Sequence, residues 1–94
     1  MRFIVAFYEV DRAYGGPEEG GWWYDTGTLS RPLRVCPTEE AALVLAKRAN
    51  RLLERLQKHV RDVGSILYEG GRFAAIVCEQ TAPASIPAVR PRYE

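Results

Sequence analysis

Histidine, cysteine and long apolar runs are scarce in this sequence of 94 residues. Its two cysteines, Cys36 and Cys78, are too few for a disulfide framework and are not spaced as metal ligands, so we expect two reduced, half-buried thiols. No apolar run approaches the roughly 18 residues of a transmembrane helix. Thirteen Lys and Arg against twelve Asp and Glu give a net charge of +1, which provides no general attraction to nucleic acid or membranes. These absences argue against a metal centre, a membrane protein and a disulfide scaffold.

Recognisable catalytic sets are also missing. The single histidine, His59, has no cysteine or carboxylate at metal-ligand spacing on its face of the predicted helix, and we interpret it as a partly buried structural residue. No serine has the sequence context of a nucleophile. The Glu18-Glu19 pair lies in a glycine-rich segment, which would not fix the separation of two carboxylates. We therefore expect a non-enzymatic protein without a cofactor.

The first predicted element is a strand over residues 2–10, RFIVAFYEV. Both alternating sets of its side chains are largely apolar. Such a strand is central and covered on both faces. Because this N-terminal segment lacks a small-residue cleavage site, we interpret it as part of the fold rather than a signal peptide and expect a cytoplasmic protein. A second strand is predicted over residues 22–36, with Pro32 marking an edge or a break.

A long helix is predicted over residues 39–63, with Thr38 as its N-cap and Gly64 as its stop. Its apolar positions form one stripe at helical spacing, made of Ala42, Leu45, Ala49, Leu52, Leu56, Val60 and Val63. Two β-prone runs around Gly70-Gly71 then predict a hairpin, whose last strand covers residues 72–80.

The element order is therefore ββαββ, which predicts an α+β fold: a four-stranded, mainly antiparallel sheet with one long helix on one face and the first strand between the second and third. Residues 1–80 form a single domain with a long glycine-rich loop at 11–27, and residues 81–94 form an extended proline-rich tail. One helix covers only one sheet face, so the loop, the tail or a second subunit must cover the other. We expect a homodimer or a higher homo-oligomer.

The motif RAYGGPEEGGWWYD lies inside that predicted loop. Two glutamates separate its glycine pairs and no Lys-Ser/Thr follows, which argues against a phosphate-binding loop. Adjacent strand residues point to opposite faces, so one tryptophan can enter the core while the other faces outward. Either both tryptophans cap the open sheet face, or this aromatic segment and its acidic rim bind a partner with a basic surface. The candidate partner-binding residues are Arg12, Tyr14, Glu18, Glu19, Trp22, Trp23, Tyr24 and Asp25.

A second candidate surface is a basic flank of the predicted helix. Its cations step by three and four residues and therefore stack along one side: Arg48, Arg51, Arg55 and Lys58. The flank is interpreted either as a solvated helix face or as a contact for nucleic acid or another anion. The near-neutral net charge argues against nucleic acid.

The run YEVDRAYGGPEEGGWWYDTG, residues 8–27, resembles a segment of small, uncharacterised proteins encoded by bacteriophages, including phages of actinobacteria. The resemblance implies an accessory gene of host takeover or counter-defence that acts inside an infected bacterium. It implies no activity and no catalytic residue. The leading hypothesis is non-enzymatic binding to a host protein. The alternatives are a nucleotide-like small molecule bound at an oligomer interface and, more weakly, nucleic acid bound by the basic flank.

Overall fold

The structure, a computed structural model, describes residues 2–87, 89 and 91, with the backbone alone at Glu19. Four strands form one antiparallel sheet in the order β3-β1-β2-β4: β1 (Phe3–Gly16), β2 (Trp22–Cys36), β3 (Phe73–Glu79) and β4 (Ser85–Ile86). Helix α1 (Glu39–Leu56) connects β2 to β3. The predicted α+β class and the four-stranded antiparallel sheet are confirmed. β1 is central, as predicted, but its neighbour after the helix is the strand that the sequence placed fourth, not third.

The loop expected over residues 11–27 is instead the far end of a long β-hairpin. β1 and β2 pair from Phe3 with Cys36 to Gly16 with Trp22, and a single 3₁₀ turn at Glu18–Gly20 connects them. Glycine and acidic residues are depleted in strands, which is why the sequence favours a loop here, but the aromatic residues of β2 and the continuous ladder outweigh that preference. We call residues 11–25 the hairpin arm.

Helix α1 is shorter than predicted and buries a different set of residues. Its N-cap is the expected one, since the Ala41 N–H donates to the Thr38 hydroxyl oxygen at 3.2 Å. The helix ends at Leu56 rather than at residue 63, and His59 beyond it is exposed, not partly buried. Among the described residues, no helix has the length and apolar character needed to cross a membrane.

The predicted apolar stripe is correct in the first half of α1 and wrong in the second. Ala42 is buried and Leu45 and Ala49 pack against the core, whereas Leu52 and Leu56 are 53% and 65% exposed. Ala46, which the predicted stripe did not include, is also buried. The inward direction shifts because two polar side chains, Asn50 and Gln57, turn towards β3 and bond to its backbone. In the second half of α1, the face that packs on the sheet is therefore the one that carries Asn50 and Gln57, and Leu52 and Leu56 lie outside it.

The predicted strand before Gly70-Gly71 is also wrong. Residues 63–67 form turns and bends, the chain from there to residue 72 is irregular, and both glycines have positive φ, 91° and 87°. This segment is held to β1 by separate hydrogen bonds rather than a ladder, since the Tyr68 hydroxyl donates to the Val10 carbonyl at 2.7 Å. The fourth strand lies instead in the expected tail, where Ser85 and Ile86 pair with Thr28 and Gly27.

The same tail covers the sheet face opposite the helix. Ile4, Ala6, Tyr8 and Cys78 form a buried cluster, against which Ala82 and Ile86 of the tail pack. The Tyr8 hydroxyl donates to the Pro83 carbonyl at 2.7 Å, which ties the tail to the centre of β1. A second subunit is therefore not required to cover this cluster, and the homo-oligomer stays a prediction. Of the expected tail, residues 88, 90 and 92–94 lie outside the described part of the chain.

Both cysteines are free and more deeply buried than expected. Cys36 packs in the core between α1 and the sheet, and Cys78 packs in the cluster under the tail. The two thiols therefore lie on opposite faces of the sheet and serve as small apolar core residues.

Candidate functional site

The predicted partner-binding residues separate onto the two faces of the hairpin arm. Trp22 and Tyr24 share one face, with ring centroids 5.7 Å apart. Tyr14 and Trp23 share the other, where they are cross-strand partners with ring centroids 5.3 Å apart. The alternation expected of adjacent strand residues is therefore present, but neither tryptophan reaches the main core.

Trp22 packs on its own hairpin. Its indole lies directly over Gly15, where an added Cβ would clash with the ring, and Gly15 is itself buried. Its ring nitrogen Nε1 donates to the Glu18 carboxylate at 3.0 Å. Trp22 therefore closes the end of the arm, and Glu18 serves this local structure. The Glu19 side chain lies outside the described atoms.

Tyr14 and Trp23 point away from the core and remain largely accessible to solvent. They are 51% and 55% exposed, and their rings meet edge to face with an interplanar angle of 70°. The Arg12 guanidinium lies 5.9 Å from the centre of a Trp23 ring, within cation–π range. Arg12 pairs across the hairpin with Asp25, so these four residues share one surface. We call Arg12, Tyr14, Trp23 and Asp25 the aromatic face.

The backbone beneath the aromatic face is regular. The ladder pairs Arg12 with Asp25 and Tyr14 with Trp23 without a shift, and the nearest irregularity falls between Tyr14 and Gly16. Gly21, at φ 108°, brings the turn against the Tyr14 ring, leaving 3.2 Å between that ring and an added Cβ. The aromatic pair is thus held in one arrangement, which lowers the entropic cost of engaging a partner.

The basic flank is only partly assembled as predicted. Arg51, Arg55 and Lys58 line a groove between α1 and the outer edge of β3, whereas Arg48 is not among its lining residues. Three further cations line the same groove, Lys47, Arg61 and Arg72. The prediction did not include Lys47, although it lies four residues before Arg51 and is therefore its neighbour on the helix. No local pattern indicated Arg61 and Arg72, because both reach the groove through the irregular chain after the helix.

Metal binding and acid–base chemistry at Tyr8 have no accessible site among the described residues. In the part of the chain that the structure describes, no group of three or more His, Cys, Asp or Glu side chains could hold a metal ion. Burial, together with a hydrogen bond to the Cys78 thiol, raises the pKa of Tyr8 well above its ordinary value. Tyr8 is fully buried under the tail, so its hydroxyl serves the core and is not open to a substrate.

Comparison with known proteins adds no further constraint. Neither family models, nor curated proteins, nor solved structures contain a match to this chain. The function is therefore inferred from the geometry of the aromatic face and of the groove beside β3.

Proposed function

We propose that this chain is a small, non-enzymatic protein-binding module that contacts its partner through the aromatic face of the hairpin arm. The observation that carries the proposal is the exposure of Tyr14 and Trp23 as a fixed, edge-to-face pair. Tryptophan, tyrosine and arginine are the residue types enriched at energetic hot spots of protein interfaces. All three meet on this face, where Arg12 adds the guanidinium.

A protein partner fits this face better than a small molecule or a nucleic acid does. Tyr14 and Trp23 line neither the groove between α1 and β3 nor the smaller pocket beside Ile86, so the pair offers a surface rather than a cavity for a small ligand. Asp25 belongs to the face and would repel phosphates. We infer a partner with an apolar pocket bordered by basic groups.

The resemblance of residues 8–27 to phage proteins suggests where that partner would be found. An accessory protein of a phage would act on a protein of the infected bacterium, either in host takeover or in counter-defence. Because the similar proteins include those of actinobacterial phages, the partner is best sought in an actinobacterial lysate.

The proposal is tested by capture from such a lysate with tagged wild-type protein, a Trp23→Ala variant and a Leu52→Ala variant. Leu52 is 53% exposed on α1, so Leu52→Ala removes a similarly exposed apolar side chain at a distant site. A partner recovered with the wild type is then purified and its affinity measured for each protein.

We expect Trp23→Ala to weaken the affinity at least about tenfold, as truncation of a hot-spot residue does. Leu52→Ala should leave it within about twofold. Equal affinity for wild type and Trp23→Ala, with both folded, would remove the aromatic face from consideration as the contact surface.

A further inference from the structure

The outer edge of β3 is protected by side chains for only part of its length. β3 pairs with β1 on one side, and no strand of the described residues pairs with its other side. Asn50 bonds to both backbone groups of Ala75: its Oδ1 accepts from the Ala75 N–H at 2.7 Å and its Nδ2 donates to the carbonyl at 3.0 Å. Gln57 bonds in the same way to both backbone groups of Phe73, at 2.9 and 2.8 Å.

The next outward-facing residue of β3 is Val77. Outward positions alternate along a strand, so Val77 follows Phe73 and Ala75 in directing its N–H and carbonyl away from β1. Among the described residues, neither group has a hydrogen-bond partner: Ala75 is the last outward-facing residue of β3 whose backbone bonds to a side chain of the helix. Val77 therefore offers one donor and one acceptor at an open strand edge.

The helix position that would complete this protection is occupied by leucine. Asn50 and Gln57 are seven residues apart, two turns of helix, and the same step in the other direction reaches Leu43. Leu43 lines the groove together with Val77 and is 52% exposed. A leucine side chain cannot form hydrogen bonds to the backbone of β3. The side-chain amides of Gln57 and Asn50 therefore protect the edge at Phe73 and Ala75, and an apolar surface begins at Leu43 and Val77.

The groove beside this edge is strongly basic. The two acidic residues that line the groove both form ion pairs with Arg72: Asp62 at 3.6 Å and Glu54 at 4.0 Å. Five other cations line it and form no ion pair within the described part of the chain: Lys47, Arg51, Arg55, Lys58 and Arg61. These charges select an anionic occupant and hinder pairing with a second copy of this basic edge.

We propose that the groove binds an extended, acidic segment of a partner protein, which pairs its backbone with Val77 and places an apolar side chain on Leu43. Addition of a strand to an open edge supplies the hydrogen bonds, and the flanking cations supply the preference for acidic side chains. The groove volume of about 1460 Å³ exceeds that of typical small-molecule pockets, roughly 300–1,000 Å³, and suits a segment of several residues. This surface is separate from the aromatic face.

A nucleic acid fits the groove less well. Single strands bind where bases stack on aromatic rings, and the lining residues include no aromatic side chain. The open backbone at Val77 also gives no advantage to a nucleic acid, whereas it matches the edge of a peptide strand.

The test uses NMR titration of the ¹⁵N-labelled full chain with the acetylated, amidated peptide Glu-Val-Glu-Val-Glu. Two further probes are the charge-reversed peptide Lys-Val-Lys-Val-Lys and a ten-nucleotide oligothymidylate. We expect saturable binding of the acidic peptide with a Kd of about 1 mM or tighter. Hydrogen exchange of the Val77 amide should slow in the complex. Absence of binding, or tighter binding of either other probe, would overturn the proposal.

Two variants locate the site. Leu43→Gln places an amide beside Val77 and should weaken binding at least about fivefold, whereas Leu52→Gln makes the same change on the opposite flank and should not. Should Leu43→Gln fail to fold, the double substitution Lys47→Glu and Arg51→Glu, at two exposed positions, should abolish binding of the acidic peptide. Full affinity in every folded groove variant would contradict the assignment, and Trp23→Ala should leave this affinity unchanged.

Discussion

Asn50 and Ala75 are joined by two hydrogen bonds, so a helix side chain takes the place of a neighbouring strand on the edge of β3. Asn50→Ala would leave the Ala75 N–H and carbonyl without a protein partner in a partly buried position. We expect the free energy of unfolding to fall by about 1–3 kcal/mol. Urea unfolding of the variant measures this, with Lys47→Ala, an exposed residue on the same helix, as the control. A change no larger than that of the control would show that water replaces Asn50 without loss.

Gly15 and Trp22 are in direct contact, and the indole occupies the space that any Gly15 side chain would need. Gly15→Ala should therefore displace Trp22 and destabilise the hairpin arm by about 1–3 kcal/mol, the usual effect of overpacking. Hydrogen exchange of the arm amides, residues 12–14 and 23–25, reports this locally. Gly64→Ala is the matched control, because its added Cβ would make only an ordinary contact at 3.6 Å with Arg12. Unchanged exchange in Gly15→Ala would contradict the packing described for Trp22.

Tyr8 makes the stability of the fold sensitive to alkaline pH. Burial raises the pKa of Tyr8 above the ordinary 10.0, so folding favours the neutral phenol. This contribution is fully present below about pH 10 and is lost as the pH rises towards the folded-state pKa, by up to about 1.4 kcal/mol per pH unit.

Tyr8→Phe separates that titration from the others. At pH 7 the variant should be about 1 kcal/mol less stable, because the Pro83 carbonyl loses its donor. Above pH 10 the difference from wild type should shrink, since ionisation of Tyr8 in the unfolded state lowers the stability of the wild type alone. Urea unfolding between pH 7 and pH 11 measures the difference, and a constant value across that range would contradict the burial argument.

The sequence was informative wherever a local pattern decides the structure. The N-cap at Thr38, the strands that start at Phe3 and near Phe73, and the antiparallel α+β arrangement all follow from capping chemistry and β-prone runs. The opposite directions of Trp22 and Trp23 follow from strand alternation, which separates the aromatic face from the packing face of the arm.

The remaining features depend on tertiary contacts that no local pattern encodes. Asn50 and Gln57 are polar and lie outside the predicted apolar stripe, yet they face inward because β3 has an unpaired edge. The residues before Gly70 have strand propensity but form turns and irregular chain. Hydrogen bonds from the Tyr68 hydroxyl to the Val10 carbonyl and from the Gly71 N–H to the Glu9 carboxylate hold this segment to β1. A two-residue strand such as Ser85–Ile86 is too short for periodicity to reveal.

The different roles of the two adjacent tryptophans underlie the proposed function, and hydrogen exchange of the arm amides in Trp22→Ala and Trp23→Ala measures them most directly. Trp22 packs on Gly15 and bonds to Glu18, whereas Trp23 is 55% exposed. We expect Trp22→Ala to accelerate exchange of these amides at least about tenfold, and Trp23→Ala to change it by less than about threefold. Equal acceleration by both substitutions would make Trp23 a structural residue of the arm and contradict its role as a contact.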